Sequence, residues 1–502
     1  MISLGTDLGM GQPMEHVMRQ SLIALRLAER LGLDETTRAV VYYVSLISWV
    51  GCHVDAYEQA KWFGDDMALK SDARQVDLVG PAARAFVMSH VGSGRGLVER
   101  ARLGIAFVGE GRRDAGDMIE NHWRATNELA ARLGLGEQVR ESLYQTFERW
   151  DGKGVPAEVR GDEILMPARL VNLADVVEVY HRSGGVEAAV AVARDRSGSQ
   201  FDPELVEAFC LDAPPLFSDL DGLTTWPAVI AAEPTLEIVL SDEELESALE
   251  AIADFTDLKS PWTLGHSRGV ADLACAATTL YGLSEDDARL VRRAGLVHDL
   301  GRLGVSNAIW DKRGPLTAAE VERVRMHPYL TDRMLASSEV LAPLGAIAVQ
   351  HHERLDGSGY PRGLSGNALT STGRIIAAAD AYHAMTEPRP HREARAAEAA
   401  AAELRSGVRQ ALFDGDAVDA VLRAAGHPVK RRREWPGGLT KREVEVLRLL
   451  VRGLSNQEIA EQLVISRKTA GSHVEHIYTK LGVSNRAQAS LFAVKHGLMT
   501  AA

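Results

Sequence analysis

Apolar residues recur at helical spacing along most of the chain. In the segment "DARLVRRAGLVHDLG", for example, Leu290, Ala294 and Val297 fall on one stripe of a helix. Few stretches alternate apolar and polar residues with the period of two that a half-buried strand requires. The pattern therefore predicts an all-α protein.

A repeat divides this helical pattern into two copies. Residues 15–51 align without a gap on residues 265–301, and the match includes a histidine near the start and a glycine at the end. Further along, "FERWDGKGVP" (147–156) repeats as "HERLDGSGYP" (352–361). The alternative, two unrelated bundles of similar composition, leaves the ungapped glycines and the repeated D-G-x-G-x-P unexplained.

Two stretches rich in proline and glycine interrupt the helical spacing and predict linkers. The first, residues 211–235, also contains several aspartates, and the second, residues 426–438, contains a basic run. The expected domains are a first copy at 1–212, a linker at 213–240, a second copy at 241–425, a basic linker at 426–438 and a small C-terminal domain at 439–502.

Composition restricts the class of protein. The 502 residues are too many for one core, and 46% hydrophobic with 25% charged residues is ordinary for soluble globular domains. Three widely spaced cysteines argue against a disulfide framework and fit a reducing cytoplasm. The N-terminus lacks the features of a signal peptide, and the longest uncharged stretch, Ala39 to Val54, is too short to span a bilayer. We therefore expect a cytoplasmic protein without a membrane partner.

Ligand-type residues stand at several distant places in the second copy. A single histidine on a helix is usually a structural residue, but "AGLVHDLG" buries His298 beside Asp299, which is costly unless both are paired or coordinated. Asp380 within "RIIAAADAYHAM" raises the same problem. Histidine and aspartate converging from several helices describe a metal site in a bundle core. The candidate ligands are His266, His298, Asp299, His327, His351, His352 and Asp380.

The motifs "LVHDLGR", "QHHERLDGSGYP" and "RIIAAADAYHAMTEPRPHR" resemble the HD-GYP family of metal-dependent phosphohydrolases over residues 235–425. The resemblance implies two divalent transition-metal ions, such as iron or manganese, bridged by Asp299, and hydrolysis of a cyclic dinucleotide or related nucleotide. It implies that His266, His298 and Asp380 hold one ion and that His327, His351 and His352 serve the other. Asp299 and Arg302 would carry catalysis, and the expected substrate-binding residues are Arg302, Gly359, Tyr360, Pro361, Arg389 and Arg392.

Three positions depart from the family pattern. Arg302 stands where the family usually has lysine, which keeps the charge but changes its geometry. Trp262 stands where some members have a glutamate for a third metal, so two ions are expected. His391 replaces the tyrosine of the family's R-P-Y-R. These changes affect rate and substrate preference more than hydrolysis itself.

The first copy has lost most of these ligands. It keeps His16 and Asp175, but Ser48-Trp49 replaces the His-Asp pair and Thr146-Phe147 replaces the two histidines. We predict an inactive, degenerate copy. Two roles stay open for it: a packing or dimerisation scaffold, or a sensor that binds a small molecule in an aromatic-lined pocket.

The C-terminal region is basic, with 13 lysines and arginines against 6 acids from Pro428 to Ala502, although the whole chain carries −13. Such a balance suggests a polyanion-binding module. Ser/Thr caps followed three residues later by glutamate, and glycine stops, predict several short helices. Two of them, joined by a tight turn, describe a helix-turn-helix, although a plain four-helix bundle has similar spacing.

Residues 439–498 resemble the LuxR/FixJ-type DNA-binding domain through L-T-x-R-E-x-E-V-L, G-x-S-N-x-E-I-A and K-L-G-V-x-x-R. The resemblance implies that Ser466 to Lys480 enters the major groove of double-stranded DNA, and that Arg486 to Leu498 joins a homodimer. The expected DNA-binding residues are Arg467, Lys468, Thr469, Ser472, His473, Lys480 and Arg486.

The sequence therefore predicts a one-component transcriptional regulator in which a phosphodiesterase domain is coupled to a DNA-binding domain. One alternative is a transcription factor that senses a nucleotide or small molecule through a vestigial metal site. Another is a phosphohydrolase that acts on a different nucleotide.

Overall fold

The structure is a computed structural model. It describes residues 1–107, 112–156, 159–222, 224–234, 240–428, 435–463 and 465–498. About 68% of the chain is helical, and the described ranges contain no β-strand, which confirms the all-α prediction. Residues Met1–His427 form one compact unit and Pro428–Ala502 form a second, smaller unit.

The first copy and the segment after it contain α1 (Ile2–Gly9), α2 (His16–Arg30), α3 (Glu35–Ile47), α4 (Ala56–Phe63), α5 (Asp66–Ala73), α6 (Gly80–His90), α7 (Leu97–Ala106), α8 (Arg112–Arg132), α9 (Glu137–Tyr144), α10 (Met166–Asp195), α11 (Pro203–Leu211), α12 (Ala213–Phe217) and α13 (Thr225–Ala231). The second copy contains α14 (Asp242–Asp257), α15 (His266–Tyr281), α16 (Glu285–Val297), α17 (Asn307–Trp310), α18 (Ala318–Arg325), α19 (His327–Leu335), α20 (Ala342–Ala348), α21 (Ser371–Thr386), α22 (Ala397–Arg409) and α23 (Gly415–Ala424).

The two copies share local features that their matching residues explain. Helices α2 and α15 both begin at the repeated histidine, directly after a residue with positive φ. Helices α3 and α16 both end before the repeated glycine, and a 3-10 turn follows each, Val50–His53 and Leu300–Gly304. Both copies contribute buried side chains to one apolar core, for example Leu22 and Leu173 from the first and Leu249 and Leu296 from the second.

The expected linker at 213–240 is not an exposed connector where the structure describes it. Helices α12 and α13 pack against α2, and Leu216, Leu220 and Val229 are buried. Arg26 of α2 also donates to the carbonyl oxygens of Leu216 and Ser218. The prolines and glycines of this segment interrupt the helical spacing of its apolar residues, so the sequence pattern did not predict these helices. Residues 223 and 235–239 lie outside the described residues.

The first copy contains an insertion that the second lacks. Ser48 and His122 are 74 positions apart, whereas His298 and His327, which occupy the matching places, are 29 positions apart. The additional residues form α4 to α7. By length and apolar composition, the described helices include no single membrane span, although the bent pair Glu35–His53 and Ala56–Phe63 meets such a test jointly.

The smaller unit contains α24 (Lys441–Val451), α25 (Asn456–Leu463), α26 (Arg467–Leu481) and α27 (Arg486–Lys495). The capping boxes expected at Thr440 and Ser455 are formed, and Ser466 caps α26 through the backbone N–H of Thr469. Buried side chains such as Leu447 and Ile477 make a separate core. Within the expected basic linker at 426–438, residues 429–434 lie outside the described residues.

Candidate metal centre and its emptied counterpart

The seven predicted ligands come from five separate segments of the second copy and meet in its core. His266 begins α15, His298 and Asp299 follow α16, His327 begins α19, His351 and His352 follow α20, and Asp380 lies in α21. Six of these side chains are buried, and His352 is partly exposed. A cluster of this size in a protein interior requires compensation of its polar atoms.

The cluster contains the two groups that the sequence predicts. In one group, His266 Nε2 lies 3.3 Å and His298 Nε2 lies 3.8 Å from Oδ1 of Asp380. In the other group, His327 Nε2 lies 3.0 Å from His351 Nε2, and His352 completes the set. The ligand atoms of each group lie within 4.8 Å of one another, close enough to share a single cation.

Asp299 lies between the two groups and presents one oxygen to each. Its Oδ2 atom is 3.8 Å from His266 Nε2 and 3.7 Å from His298 Nε2. Its Oδ1 atom is 3.4 Å from His327 Nε2 and 3.7 Å from His351 Nε2. Asp299 therefore faces both ligand groups at once.

Contacts behind the histidines turn their Nε2 atoms towards the centre. The Nδ1 atoms of His298, His327 and His351 lie 2.7, 2.6 and 2.6 Å from backbone carbonyl oxygens, which accept a hydrogen bond from each Nδ1–H group. The Nε2 atoms therefore keep their lone pairs, as metal-ligating histidines do. The buried Nε2 atom of His298 has no hydrogen-bond partner. A divalent cation would satisfy it, so the donor set fits a metal site.

The electrostatics favour the ligating protonation states at most of these groups. Burial and the neighbouring imidazoles lower the pKa of His351 to about 3, and burial lowers that of His327 to about 4. Burial alone would raise the pKa of Asp299, but His298 and Arg302 hold it well below its ordinary value. His266 differs because, against the effect of burial, Asp380 and Glu387 raise its pKa to about 9. A cation that binds there displaces a proton.

Two arginines lie beside the cluster. The Arg302 guanidinium stacks 4.0 Å from the ring centroid of Trp310 and donates from Nη1 to Asp299 Oδ2 at 3.0 Å. Arg389 donates to Glu387 Oε2 at 2.8 Å, and burial together with the nearby Arg302 charge lowers its pKa. Both arginines therefore lie where they can contact an anion at the cluster.

Arg392 is engaged elsewhere, contrary to the expectation that it binds substrate. Its guanidinium donates to the backbone carbonyl oxygens of Ala384, Met385 and Glu387 at the end of α21. These contacts give Arg392 a role in holding the loop that carries Arg389.

The Gly359-Tyr360-Pro361 turn has a counterpart in the first copy, from which it differs at Tyr360. A Cβ on Gly359 would lie 2.4 Å from the backbone nitrogen of Arg354, so only glycine fits, and Gly154 of the first copy is equally crowded. The peptide bond before each proline, Pro361 and Pro156, is cis. The first copy has Val155 at the place of Tyr360, whose ring centroid lies 4.7 Å from that of His352.

Sequence reasoning missed Glu387, His383 and Trp310. Glu387 Oε2 is 2.8 Å from His266 Nδ1, and Glu387 Oε1 is 3.3 Å from His383 Nδ1. With His266 these two residues form a further group of possible ligands. A signal was present in the sequence for His383, which lies three positions after Asp380 on the same face of α21, whereas Glu387 follows the end of that helix.

The matching site of the first copy is closed by side chains of opposite charge. His16 Nε2 is 3.0 Å from Asp175 Oδ1, and His16 Nδ1 is 2.5 Å from Glu178 Oε2. Arg74 lies with its Nε atom 3.4 Å from Asp175 and its guanidinium carbon 5.1 Å from the ring centroid of Trp49. Positive side chains thus take the place that a cation would have among these carboxylates.

His122 is a retained ligand-type residue that the sequence comparison missed. A Cβ on Gly51 would lie 2.4 Å from the carbonyl oxygen of His122, just as one on Gly301 would lie 1.9 Å from that of His327. The close approach explains why both copies keep this glycine. Around His122 the other ligands are gone, and the ring of Phe147 packs 4.8 Å from its imidazole.

We expect His16 to make the stability of the protein depend on pH. Its carboxylate partners, acting against burial, raise its pKa to about 9 from 6.5. The ion pairs of protonated His16 therefore add their full contribution to the free energy of unfolding below pH 6.5. This contribution, on the order of 3 kcal/mol, is lost as the pH rises towards 9. The measurement is thermal unfolding of the wild type and of His16→Gln across this range. A wild-type advantage that does not change with pH would contradict the assignment.

The predicted DNA-binding residues separate into two sets. Arg467, Lys468, Thr469 and Ser472 are exposed on α26, and His473 is half-buried. The remaining two residues hold the unit together. Lys480 Nζ lies 2.8 Å from Glu443 Oε2, and Arg486 donates to the carbonyl oxygens of Gly453 and Leu454. The DNA contacts expected of Lys480 and Arg486 would require those bonds to be shared or exchanged.

Comparisons with known proteins agree with this division of the chain. A family model described as an HD domain matches residues 112–205 and 250–417, and one described as bacterial regulatory proteins of the luxR family matches residues 438–493. The chain is 32% identical over 418 residues to 3'3'-cGAMP-specific phosphodiesterase 3 of Vibrio cholerae, which covers 82% of this chain and 91% of that protein. It is 35% identical over 184 residues to a cyclic di-GMP phosphodiesterase response regulator of Xanthomonas campestris, which covers 36% of this chain and 48% of that one.

A solved structure is also similar to this chain. The crystal structure of a cyclic GMP-AMP-specific phosphodiesterase of V. cholerae has a TM-score of 0.58 and 28% identity, and the match covers 85% of this chain and 97% of that one. The histidine and aspartate cluster lies within the second HD match, and the exposed basic helix α26 lies within the luxR match. The chain belongs to the HD-GYP family of metal-dependent phosphohydrolases and carries a LuxR-type DNA-binding domain.

Proposed function

We propose that the second copy is a phosphodiesterase that cleaves a cyclic dinucleotide at a centre of two divalent transition-metal ions, iron or manganese. Asp299 carries this proposal, because its two oxygens face two separate groups of ligands. One ion would be held by His266, His298 and Asp380, and the other by His327, His351 and His352. The relatives named as cyclic dinucleotide phosphodiesterases support this substrate class.

The residues of the chain divide the work of hydrolysis. A pair of bound divalent ions supplies Lewis acidity and lowers the pKa of water. The carboxylate of Asp299 fixes the spacing of the two ligand groups, and the hydrogen bond from Nη1 of Arg302 orients it. Arg302 and Arg389 neutralise the charge of the scissile phosphate, which grows in the transition state. Tyr360, packed against His352, limits the access of bulk water on that side.

The proposal is tested by assaying the purified full-length chain against a panel of cyclic and linear nucleotides. With iron or manganese we expect turnover of at least one cyclic dinucleotide and about two ions per chain by elemental analysis. Chelation followed by dialysis should abolish turnover, and the ion should restore it. Failure to cleave any member of the panel in the metal-loaded state would contradict the proposal.

A second candidate is a nucleotide sensor with a vestigial site. It is favoured by the hydrogen bond between Arg302 and Asp299, in which the guanidinium contacts an oxygen that the proposed bridge requires. The two candidates differ in the fate of bound nucleotide. Recovery of intact cyclic dinucleotide after long incubation with the metal-loaded chain would favour the sensor.

We further propose that the chain is a one-component regulator that binds double-stranded DNA as a homodimer. The exposed basic and hydroxyl side chains of α26 suit a DNA groove, and the LuxR-type domain supports a cytoplasmic location. The state of the phosphodiesterase would bias DNA binding. Equal operator affinity with and without nucleotide and metal would refute this coupling.

We propose a scaffold role for the first copy. Its matching site is filled by the paired charges of His16, Asp175, Glu178 and Arg74 and by the packed rings of Trp49 and Phe147. A small molecule would have to separate buried ion pairs to enter, which is costly. The closed site therefore favours packing over sensing.

A further inference from the structure

Helix α5 of the first copy reaches the second copy through one buried carboxylate. Asp66, the first residue of α5, is fully buried. Its Oδ1 atom accepts hydrogen bonds from Ser306 Oγ at 2.7 Å and from the backbone N–H of Asn307 at 2.9 Å. Both donors belong to the second copy and follow the 3-10 turn that carries Arg302.

The two donors anchor the short helix α17, which lies beside the metal centre. Asn307 begins α17, and Trp310 ends it. The ring of Trp310 stacks 4.0 Å from the guanidinium carbon of Arg302 and packs 5.4 Å from the ring of His327. Helix α4 of the same insertion also packs on α17. Asp66 is therefore linked to Arg302 by two contacts: its carboxylate binds the start of α17, and Trp310 at the end of α17 stacks on the guanidinium.

The charges around Asp66 keep it ionised. Lys70 Nζ lies 3.3 Å and Lys259 Nζ lies 3.7 Å from its Oδ2 atom. Burial acts to raise the pKa of Asp66, but these two ammonium groups hold it below its ordinary value. The geometry thus assigns different partners to the two oxygens. Oδ2 faces the lysines, whereas Oδ1 serves only the donors before and in α17.

We infer that Asp66, a residue of the catalytically degenerate copy, is a positioning residue that sets Arg302 of the active copy through α17 and Trp310. This inference rests on the proposed phosphodiesterase function. It gives the insertion of the first copy a part in phosphate binding. Loss of the Oδ1 acceptor would free α17 and let the Trp310 ring and the guanidinium move away from the phosphate position.

Three variants of the metal-loaded full chain separate positioning from stability. Asp66→Ala removes both the charge and the acceptor, whereas Asp66→Asn removes the charge but keeps an oxygen for Ser306 and Asn307. Both leave the two lysines without their counter-charge, so this electrostatic cost is common to the two variants. Asp72→Ala, on an exposed part of the same helix, is the control. We expect the KM of Asp66→Ala to rise roughly tenfold with kcat within about threefold, Asp66→Asn to recover most of this loss, and Asp72→Ala to match the wild type.

A double-mutant cycle with Arg302→Ala tests whether the effect passes through the arginine. We expect the KM increase caused by Arg302→Ala to shrink in the Asp66→Ala background, because both changes remove the same contact with phosphate. Should Asp66→Ala fail to fold, Ser306→Ala can replace it, because it removes one of the two donors. We expect Ser306→Ala to raise KM less than Asp66→Ala and to be non-additive with Arg302→Ala in the same way.

Equal KM values for Asp66→Ala and Asp66→Asn, or additive effects in the cycle, would overturn the inference while leaving the hydrolysis proposal intact. A wild-type chain that cleaves no nucleotide would instead overturn the hydrolysis proposal on which the inference rests.

Discussion

Asp299→Asn should abolish turnover, with a fall in kcat/KM of at least about 10³-fold. Asparagine has the size of aspartate, but it replaces one oxygen with an N–H₂ group and removes the negative charge. The amide would present donors to one pair of imidazole Nε2 atoms, which lie 3.4 to 3.8 Å from the carboxylate oxygens in the wild type. The two ligand groups would then lose their shared anion, and elemental analysis should show fewer ions per chain.

Asp175→Asn is the matched control for this variant. Asp175 is the buried aspartate that the first copy retains, and it contacts His16 and Arg74 in the closed site. The same chemical change there should lower thermal stability and leave turnover near the wild-type value. If Asp299→Asn kept turnover within about tenfold of wild type, or if Asp175→Asn lost as much, the assignment of the active centre to the second copy would be wrong.

Much of the metal centre could be predicted because several of its ligands are polar residues within apolar segments. His298, Asp299 and Asp380 stand in apolar helical segments, where an imidazole or a carboxylate is costly without a partner. The ungapped repeat then showed which of these residues the first copy had replaced. Both signals depend only on residue type and position, so they can be read directly from the sequence.

What the sequence does not show is which partner a polar group selects after folding. Glu387 lies 121 positions from the histidine that it contacts, and nothing near it identifies that partner. Arg392 and Arg389 look equivalent in "RPHR", yet Arg392 donates to carbonyl oxygens of its own loop. The packed helices α12 and α13 lie in a segment whose prolines interrupt helical spacing. For Glu387 and for α12 and α13 the deciding contacts are long-range, whereas for Arg392 they lie within its own loop.

The first copy keeps the helical fold although most of the predicted ligands are absent from its matching site. The carboxylate of Asp175 would be an uncompensated buried charge after removal of a cation, which is strongly destabilising. His16, held protonated by its carboxylate neighbours, and Arg74, contributed near the end of α5, supply the missing positive charge. The helix that closes the empty site thus also begins with the carboxylate that reaches the active copy.

Leu491→Glu should lower the affinity of the full chain for paired DNA half-sites about 100-fold and leave the affinity for one half-site within about threefold. Helix α27 exposes 71% of Leu491 and 60% of Val494, three positions apart on one face. Two such faces would bury this apolar surface in a dimer, whereas two glutamates would repel each other there. Leu491→Ala, which removes apolar contact without adding charge, should give an intermediate loss.

The measurement of this loss is a binding titration with one and two copies of a half-site selected from random DNA. Comparing the two DNAs within each variant separates dimerisation from folding, because a misfolded domain would lose both affinities. Lys468→Ala is the complementary control, since this exposed residue of α26 is expected to contact DNA directly, and its loss should weaken both complexes. Unchanged affinity of Leu491→Glu for the paired site would mean that another surface joins the protomers, and the proposed role of α27 would fail.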